Sequence, residues 1–264
     1  MIRICLAAVA ALALAACSKA PEDVTARYSL GGGQGTITVE AAGNGDARVE
    51  AGQQMLVRKG GTEYVLLTDS KGRFAAKMDD FVAAMGEVMK EGGIKPMGMP
   101  PQGEYDLAKQ GSETIADVKG DVWKVSPKKG PATESFEAVI SSDPAYANVG
   151  KALEMQTKLA AAQSKLLQGG ESNLEKRVSE MLGKGMVLRF ASALKLDKIE
   201  KGPIDAKSFE LPTVLDKAGI KARMNAERER AQAAAKAMQS AQPPVQQAPV
   251  PAPAPTPTPA PKAK

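Results

Sequence analysis

Val24-Thr25-Ala26-Arg27-Tyr28-Ser29-Leu30 sets the fold class. Val24, Ala26, Tyr28 and Leu30 alternate with Thr25, Arg27 and Ser29, and in an extended chain residues two apart share a face, so the stretch predicts a half-buried strand. The glycine run Gly31-Gly32-Gly33-Gln34-Gly35 follows. It has neither the Lys-Ser/Thr ending nor the G-x-G-x-x-G spacing of a phosphate-binding loop, and it runs into a second strand pattern, Thr36-Ile37-Thr38-Val39. A flexible strand connection is the reading that fits.

Downstream the pattern repeats. Gly43-Asn44-Gly45 turns the chain into Ala47–Ala51, Gly60-Gly61 separates Met55–Arg58 from Glu63–Leu67, and Ser70-Lys71-Gly72 turns it into Arg73–Met78. Short strands joined by tight turns predict an antiparallel meander. Asp79 or Asp80 is placed to cap a helix whose Phe81, Met85, Val88 and Met89 form an apolar stripe, ended by Gly92-Gly93. As the one tight acidic pair near a helix start, Asp79-Asp80 reads as a cap rather than as catalytic carboxylates. The segment Ile94–Gly103, with Pro96, Pro100 and Pro101, predicts a loop.

Beyond it, Tyr105–Ala108, Glu113–Val118 and Val122–Val125 read as three strands, with turns at Gln110-Gly111 and Lys119-Gly120-Asp121; Phe136–Ile140 reads as another. Asp143-Pro144 opens a helix reaching about Leu167, with Val149, Ala152, Leu153, Leu159, Ala160, Leu166 and Leu167 on one side. A second helix covers Leu174–Leu182, and Met186–Ser192 with Leu194–Glu200 forms a last hairpin. The class is therefore α+β. Residues 216–241 predict an Ala-rich, charged helix, and nine of the chain's 18 prolines lie in residues 242–264, which predicts a disordered Pro/Ala-rich tail.

Upstream of the first strand, Arg3 precedes an unbroken apolar run, Leu6–Leu14, too short to span a bilayer, which needs about 20 residues. The closing Leu14-Ala15-Ala16-Cys17 resembles the lipobox of bacterial lipoproteins. That resemblance implies a signal peptide at 1–16, acylation of Cys17 and a tether at 17–23; Ser18 after the cysteine implies sorting to the outer membrane. Two or more acyl chains suffice for stable anchoring, so the expectation is a domain held by lipid at the periplasmic face of the outer membrane.

Composition excludes several chemistries. The chain has no histidine and 2 cysteines, Cys5 in the leader and Cys17 at the anchor. Ser-His-Asp and Cys-His catalysis and the usual zinc sites are thereby removed, and neither an enzyme nor a cofactor is expected. A net charge of +5 from 35 basic and 30 acidic residues confers solubility, with no clustered patch of the kind nucleic acid requires. With aromatics at 4%, the core must be filled by aliphatic side chains and the 12 methionines.

Gly111-Ser112-Glu113-Thr114-Ile115-Ala116, Asp121-Val122-Trp123, Ile199-Glu200-Lys201-Gly202-Pro203-Ile204-Asp205 and Phe209-Glu210-Leu211-Pro212 are together similar to segments of a family of uncharacterised bacterial exported proteins, a domain of unknown function near the outer-membrane lipoprotein carriers. The resemblance spans about residues 24–213 and implies a curved, incompletely closed antiparallel half-barrel covered by helices. It brings no catalytic residue. The Ala-rich helix and the proline tail depart from that family.

Two functional expectations follow. In the first, Phe81, Met85, Met89, Met97 and Met99 form a lid over an apolar cavity that binds lipid or lipoprotein acyl groups, methionine being the side chain that adapts to irregular apolar shapes. Packing of an aromatic-poor core competes with this for the same residues, and Met97-Gly98-Met99 is also a thioether pair of the kind that ligates Cu(I), although no metal is assigned. The alternative is a non-enzymatic structural or adaptor lipoprotein of the envelope. Its C-terminal helix and tail would act as a spacer toward cell wall or a protein partner.

Overall fold

The computed structural model describes residues 22–33, 35–99, 103–130 and 134–241. The leader, Cys17 and the proline tail lie outside the described residues. The chain divides into two units, residues 1–224 and 225–264.

In the first unit the predicted meander is present. Strands β1 (Val24–Leu30), β2 (Thr36–Ala41), β3 (Ala47–Ala51), β4 (Gln54–Lys59), β5 (Thr62–Asp69) and β6 (Gly72–Lys77) pair antiparallel in sequence order. β1 then turns its other edge to β11 (Leu194–Lys201), which continues through β10 (Met186–Phe190), β9 (Phe136–Ser141) and β8 (Val118–Lys129) to β7 (Glu104–Ile115). A two-residue strand, β12 (Val214–Leu215), adds parallel to β6 at the opposite end. The result is one open sheet of 12 strands with β12 and β7 at its two ends.

Three helices cover it: α1 (Met78–Glu91) lies on β5 and β6, α2 (Ala147–Gln168) on β2, β3, β4 and β10, and α3 (Asn173–Leu182) on β7, β8 and β9. A fourth, α4 (Lys217–Ala241), crosses the boundary between the units. Adjacent strand residues point to opposite faces, yet Leu56 and Val57 on β4 are both fully buried, as are Ala75 and Ala76 on β6. The strands here are covered on both faces: Leu56 and Ala76 join the main core, while Val57 and Ala75 pack under Phe209 from the short 3-10 turn Ala206–Phe209.

Several local expectations are corrected. Neither Asp79 nor Asp80 caps α1: the cap position is Lys77, without a side-chain bond, and both aspartates sit inside the first turn, where carboxylates favour the positive end of the helix dipole. The three strands expected between Tyr105 and Val125 are two long ones. Gly111 is a register irregularity in β7 and Gly120 lies within β8, where a Cβ would come 2.8 Å from Val139 and 2.9 Å from Leu188. The true turn is Ala116-Asp117, with φ of 48° and 62°, the left-handed pair that a two-residue hairpin loop requires. Asp143 does cap, accepting from the Ala145 N–H at 2.9 Å, but it opens a 3-10 turn, Pro144–Tyr146, ahead of α2. α3 starts on a capping box of Ser172 and Glu175.

Among the described residues the largest fully buried side chain, Tyr28, carries an unpaired polar atom. Tyr28 is fully buried and its hydroxyl has no hydrogen-bond partner; burial alone pushes its ionisation far up. A buried hydroxyl without a partner costs about 1–3 kcal/mol. Tyr28→Phe is therefore expected to raise stability by about 1 kcal/mol in urea unfolding of the full chain. A lower midpoint would show that the hydroxyl is satisfied.

Candidate functional site

The two ends of α2 differ in character. At its start, Asp23 accepts from the Gly43 N–H at 2.8 Å and the Ile204 N–H at 3.0 Å, and Asn148 on the first turn of α2 donates to the Ala42 carbonyl at 2.8 Å. Lys201, opposite Val24 in the ladder, sits 5.3 Å from the Tyr146 ring centre. The point at which the chain enters the sheet is thus latched to the N-terminal end of α2. Along its length α2 is clamped by a polar cluster: Arg58 donates to Glu63 at 2.7 Å and to the Lys151 carbonyl at 2.6 Å, and Lys158 meets Glu63 at 3.0 Å. Burial pushes the Glu63 carboxyl up, but the two cations outweigh it and hold the group ionised. This cluster is a brace, in which two cations share the one carboxylate of Glu63.

At the far end the surface turns apolar. Leu167 lies 20 positions after Ala147, about 30 Å along the helix at 1.5 Å per residue. Its carbonyl accepts from the Met97 N–H at 2.8 Å, which ties the loop after α1 to the end of α2. Around that bond Ile94 is 56% exposed, Met97 82%, Met99 44% and Leu167 46%. Beside them a cleft of about 400 Å³ is lined by Gly86, Met89, Ile94, Pro96 and Leu166, with Lys90 and Lys95 at its edge. Contiguous exposed apolar side chains with a polar rim are the mark of an interaction surface.

The five residues expected to form a lid are distributed across three environments. Phe81 is buried in the main core and Met85 packs against that core. Met89 lines the cleft, whereas Met97 and Met99 stand out from the surface, with Met99 positioned against Gly170. Ile94 belongs to the surface and was read only as the start of a loop, and Leu167, expected on the apolar side of α2, is a surface residue instead. Leu167 lies in the last turns of α2, beyond Leu159, the last buried residue of that helix, so its apolar side chain has no core to enter.

A second apolar cleft, of about 320 Å³, lies between α2, α3, β9 and β10, lined by Phe136, Ala160, Leu174, Val178 and Phe190 among others. The Phe136 and Phe190 rings are nearly parallel with centres 6.5 Å apart. Among the described residues no helix is long and apolar enough to cross a membrane, and no group of three His, Cys, Asp or Glu side chains could hold a metal ion.

No family model matches the chain, and no curated protein does. Solved structures of MucB are similar to it. A crystal structure of MucB has 12% identity and a TM-score of 0.29, covering 73% of this chain and 58% of MucB. The complex of Pseudomonas aeruginosa MucA and MucB gives 14% and 0.30, covering 74% of this chain and 59% of that chain. MucB in complex with MucA(peri) gives 14% and 0.29, covering 74% and 57%. The chain thus spans less than two thirds of the MucB chains it matches.

Proposed function

We propose that this chain is a non-enzymatic adaptor of the bacterial cell envelope, tethered by an acylated Cys17 at the periplasmic face of the outer membrane, whose working surface is the apolar shoulder at the ends of α1 and α2. The observation that carries the reading is the joint exposure of Ile94, Met97, Met99 and Leu167 around the Met89–Leu166 cleft. A chain that only needed a core would bury these side chains; each large apolar side chain is worth about 1.5–3 kcal/mol when removed from water. The placement supports the role as well. The tether enters at the opposite end of α2, so a taut anchor presents the shoulder away from its own attachment point. The domain arrangement that goes with this reading is a signal peptide at 1–16, a tether at 17–23, a half-barrel domain at 24–213, a spacer helix at 216–241 and a tail at 242–264.

Methionine oxidation tests it. In the purified full chain, peroxide should oxidise Met97 rapidly while the fully buried Met155, Met181 and Met186 stay reduced, since oxidation follows exposure. In intact envelopes Met97 should be protected by its partner. Equal Met97 oxidation in the two preparations overturns the reading. Native mass spectrometry of the same material addresses acyl binding, for which the apolar cleft lined by Phe136 and Phe190 is a candidate; a stoichiometric bound lipid there would favour the carrier role over the adaptor.

A further inference from the structure

We propose that the occupant of the shoulder is an acidic amphipathic helix of a partner protein, an inference that rests on the adaptor reading and names its ligand. The apolar floor alone would accept many things; the rim narrows the choice. Lys90 in the last turn of α1 and Lys95 in the following loop border the cleft, and Lys165 precedes Leu166 in the last turn of α2. All three are exposed, and none has an ion-pair partner among the described residues. The carboxylates on the same end of α1 are engaged elsewhere. Glu87 meets Lys217 and Lys221, both at 2.9 Å, and Glu91 meets Lys221 at 2.6 Å. The Lys217 and Lys221 ammonium groups hold the Glu87 carboxyl at about 2. Glu171, next to the Gly170 that meets Met99, is a carboxylate at this end of α2, and with three lysines against it the rim keeps a net positive field.

A helix with an apolar stripe flanked by Asp or Glu meets both demands: its stripe seats in the cleft and its carboxylates face the three lysines. The competing occupants fit less well. A second copy of this chain would set basic rim against basic rim, which like-charge repulsion disfavours. An anionic membrane surface would satisfy the lysines, but a flat lipid surface leaves a concave cleft unfilled, and the tether root lies about 30 Å away along α2. Methionine at Met89, Met97 and Met99 suits a site that must mould to a partner's side chains.

The test uses the full chain in nonionic detergent and two synthetic helical peptides of about 16 residues, between four and five turns. They share one Leu face and differ in carrying Glu or Lys on the flanks. The acidic peptide should bind about tenfold more tightly than the basic one by fluorescence anisotropy, the sum of two or three exposed ion pairs, and should lose that advantage as salt rises. Lys90→Glu with Lys95→Glu, both exposed and so of small effect on folding, should reverse the order of the two peptides. Equal affinities in the unmodified chain, or an order that the charge swap leaves unchanged, overturn the acidic-helix inference even where Met97 is protected in envelopes. Protection of Met97 in nanodiscs of phosphatidylglycerol without any peptide also overturns it, in favour of the membrane. Failure of the adaptor reading itself would appear separately, as unprotected Met97 in intact envelopes.

Discussion

Replacing Gly150 by leucine should destabilise the chain by about 3 kcal/mol or more, the upper range for overpacking. Gly150 lies in the first turn of α2 where that helix crosses the start of β10. A Cβ built there falls 2.9 Å from the Gly185 carbonyl carbon and oxygen and 3.0 Å from the Met186 nitrogen. These are backbone atoms, and they cannot swing aside as a side chain would. Gly185 is itself constrained: its φ is 152°, and a Cβ on it would meet the Ser141 carbonyl oxygen. Two glycines thus let α2, the end of β9 and the start of β10 share one small volume.

Gly150→Ala separates the clash from helix propensity. Alanine should gain about 1 kcal/mol in a helix, so a net loss of about 1 kcal/mol means that the close approach itself costs about 2 kcal/mol. Gly202→Ala, at a position with nothing within 4 Å of the new Cβ, should be neutral to within about 0.5 kcal/mol. Urea unfolding followed by Trp123 fluorescence measures all three. If Gly150→Leu unfolds at the midpoint of the unmodified chain, the helix does not sit this close to the sheet, and the separation between tether root and shoulder loses its beam.

The parts of this fold that were legible in the sequence are those where one rule acts alone. β1 to β3 alternate cleanly because one face is buried, β4 to β6 are legible mainly through the glycines of their turns, and their adjacent buried pairs reflect cover on both faces. α2 announces itself with Asp143-Pro144. The misreadings come where one residue type serves several ends. Gly111 and Gly120 look like turn residues, but the first sits at a bulge and the second leaves room for Val139 and Leu188. The real turn, Ala116-Asp117, has no glycine and adopts left-handed φ regardless. β12 is two residues long and exists through its parallel pairing with Ala75 and Ala76, a tertiary fact with no local pattern.

The candidate site shows the same division. The sequence reading and the proposed shoulder overlap in the methionine-rich segment after α1, because composition is visible without a fold. It could not divide that segment into core and surface. Phe81 and Met85 share the buried stripe of α1, while Met97 and Met99 follow the helix stop at Gly92-Gly93 and are released to solvent. The lysines of the rim carry no motif. Their meaning depends on Glu87 and Glu91 being taken by Lys217 and Lys221, which are 130 and more residues away in sequence.

The same start of α4 supplies the second large effect. Arg223→Met should cost about 3 kcal/mol, the lower end for breaking a buried ion pair by removing one partner. The Arg223 guanidinium reaches Asp69 at 2.7 Å with the Asp69 side chain 9% exposed, and it lies 4.8 Å from the Phe74 ring centre. Methionine keeps much of the contact with Phe74 but leaves the Asp69 carboxylate without its cation. Asp69→Asn in the Arg223→Met background should recover most of the loss, because the uncompensated charge is gone. Arg223→Lys should recover less of the native stability than charge alone would give, since an ammonium lacks the planar stack on the ring. The four chains of the double-mutant cycle give the coupling directly. A coupling under about 0.5 kcal/mol would class the pair with ordinary surface bridges. In that case Ile220, fully buried one turn earlier, and the lysine contacts to Glu87 would be what holds the first turns of α4 against α1, and the rim's free lysines would depend on exposed ion pairs alone.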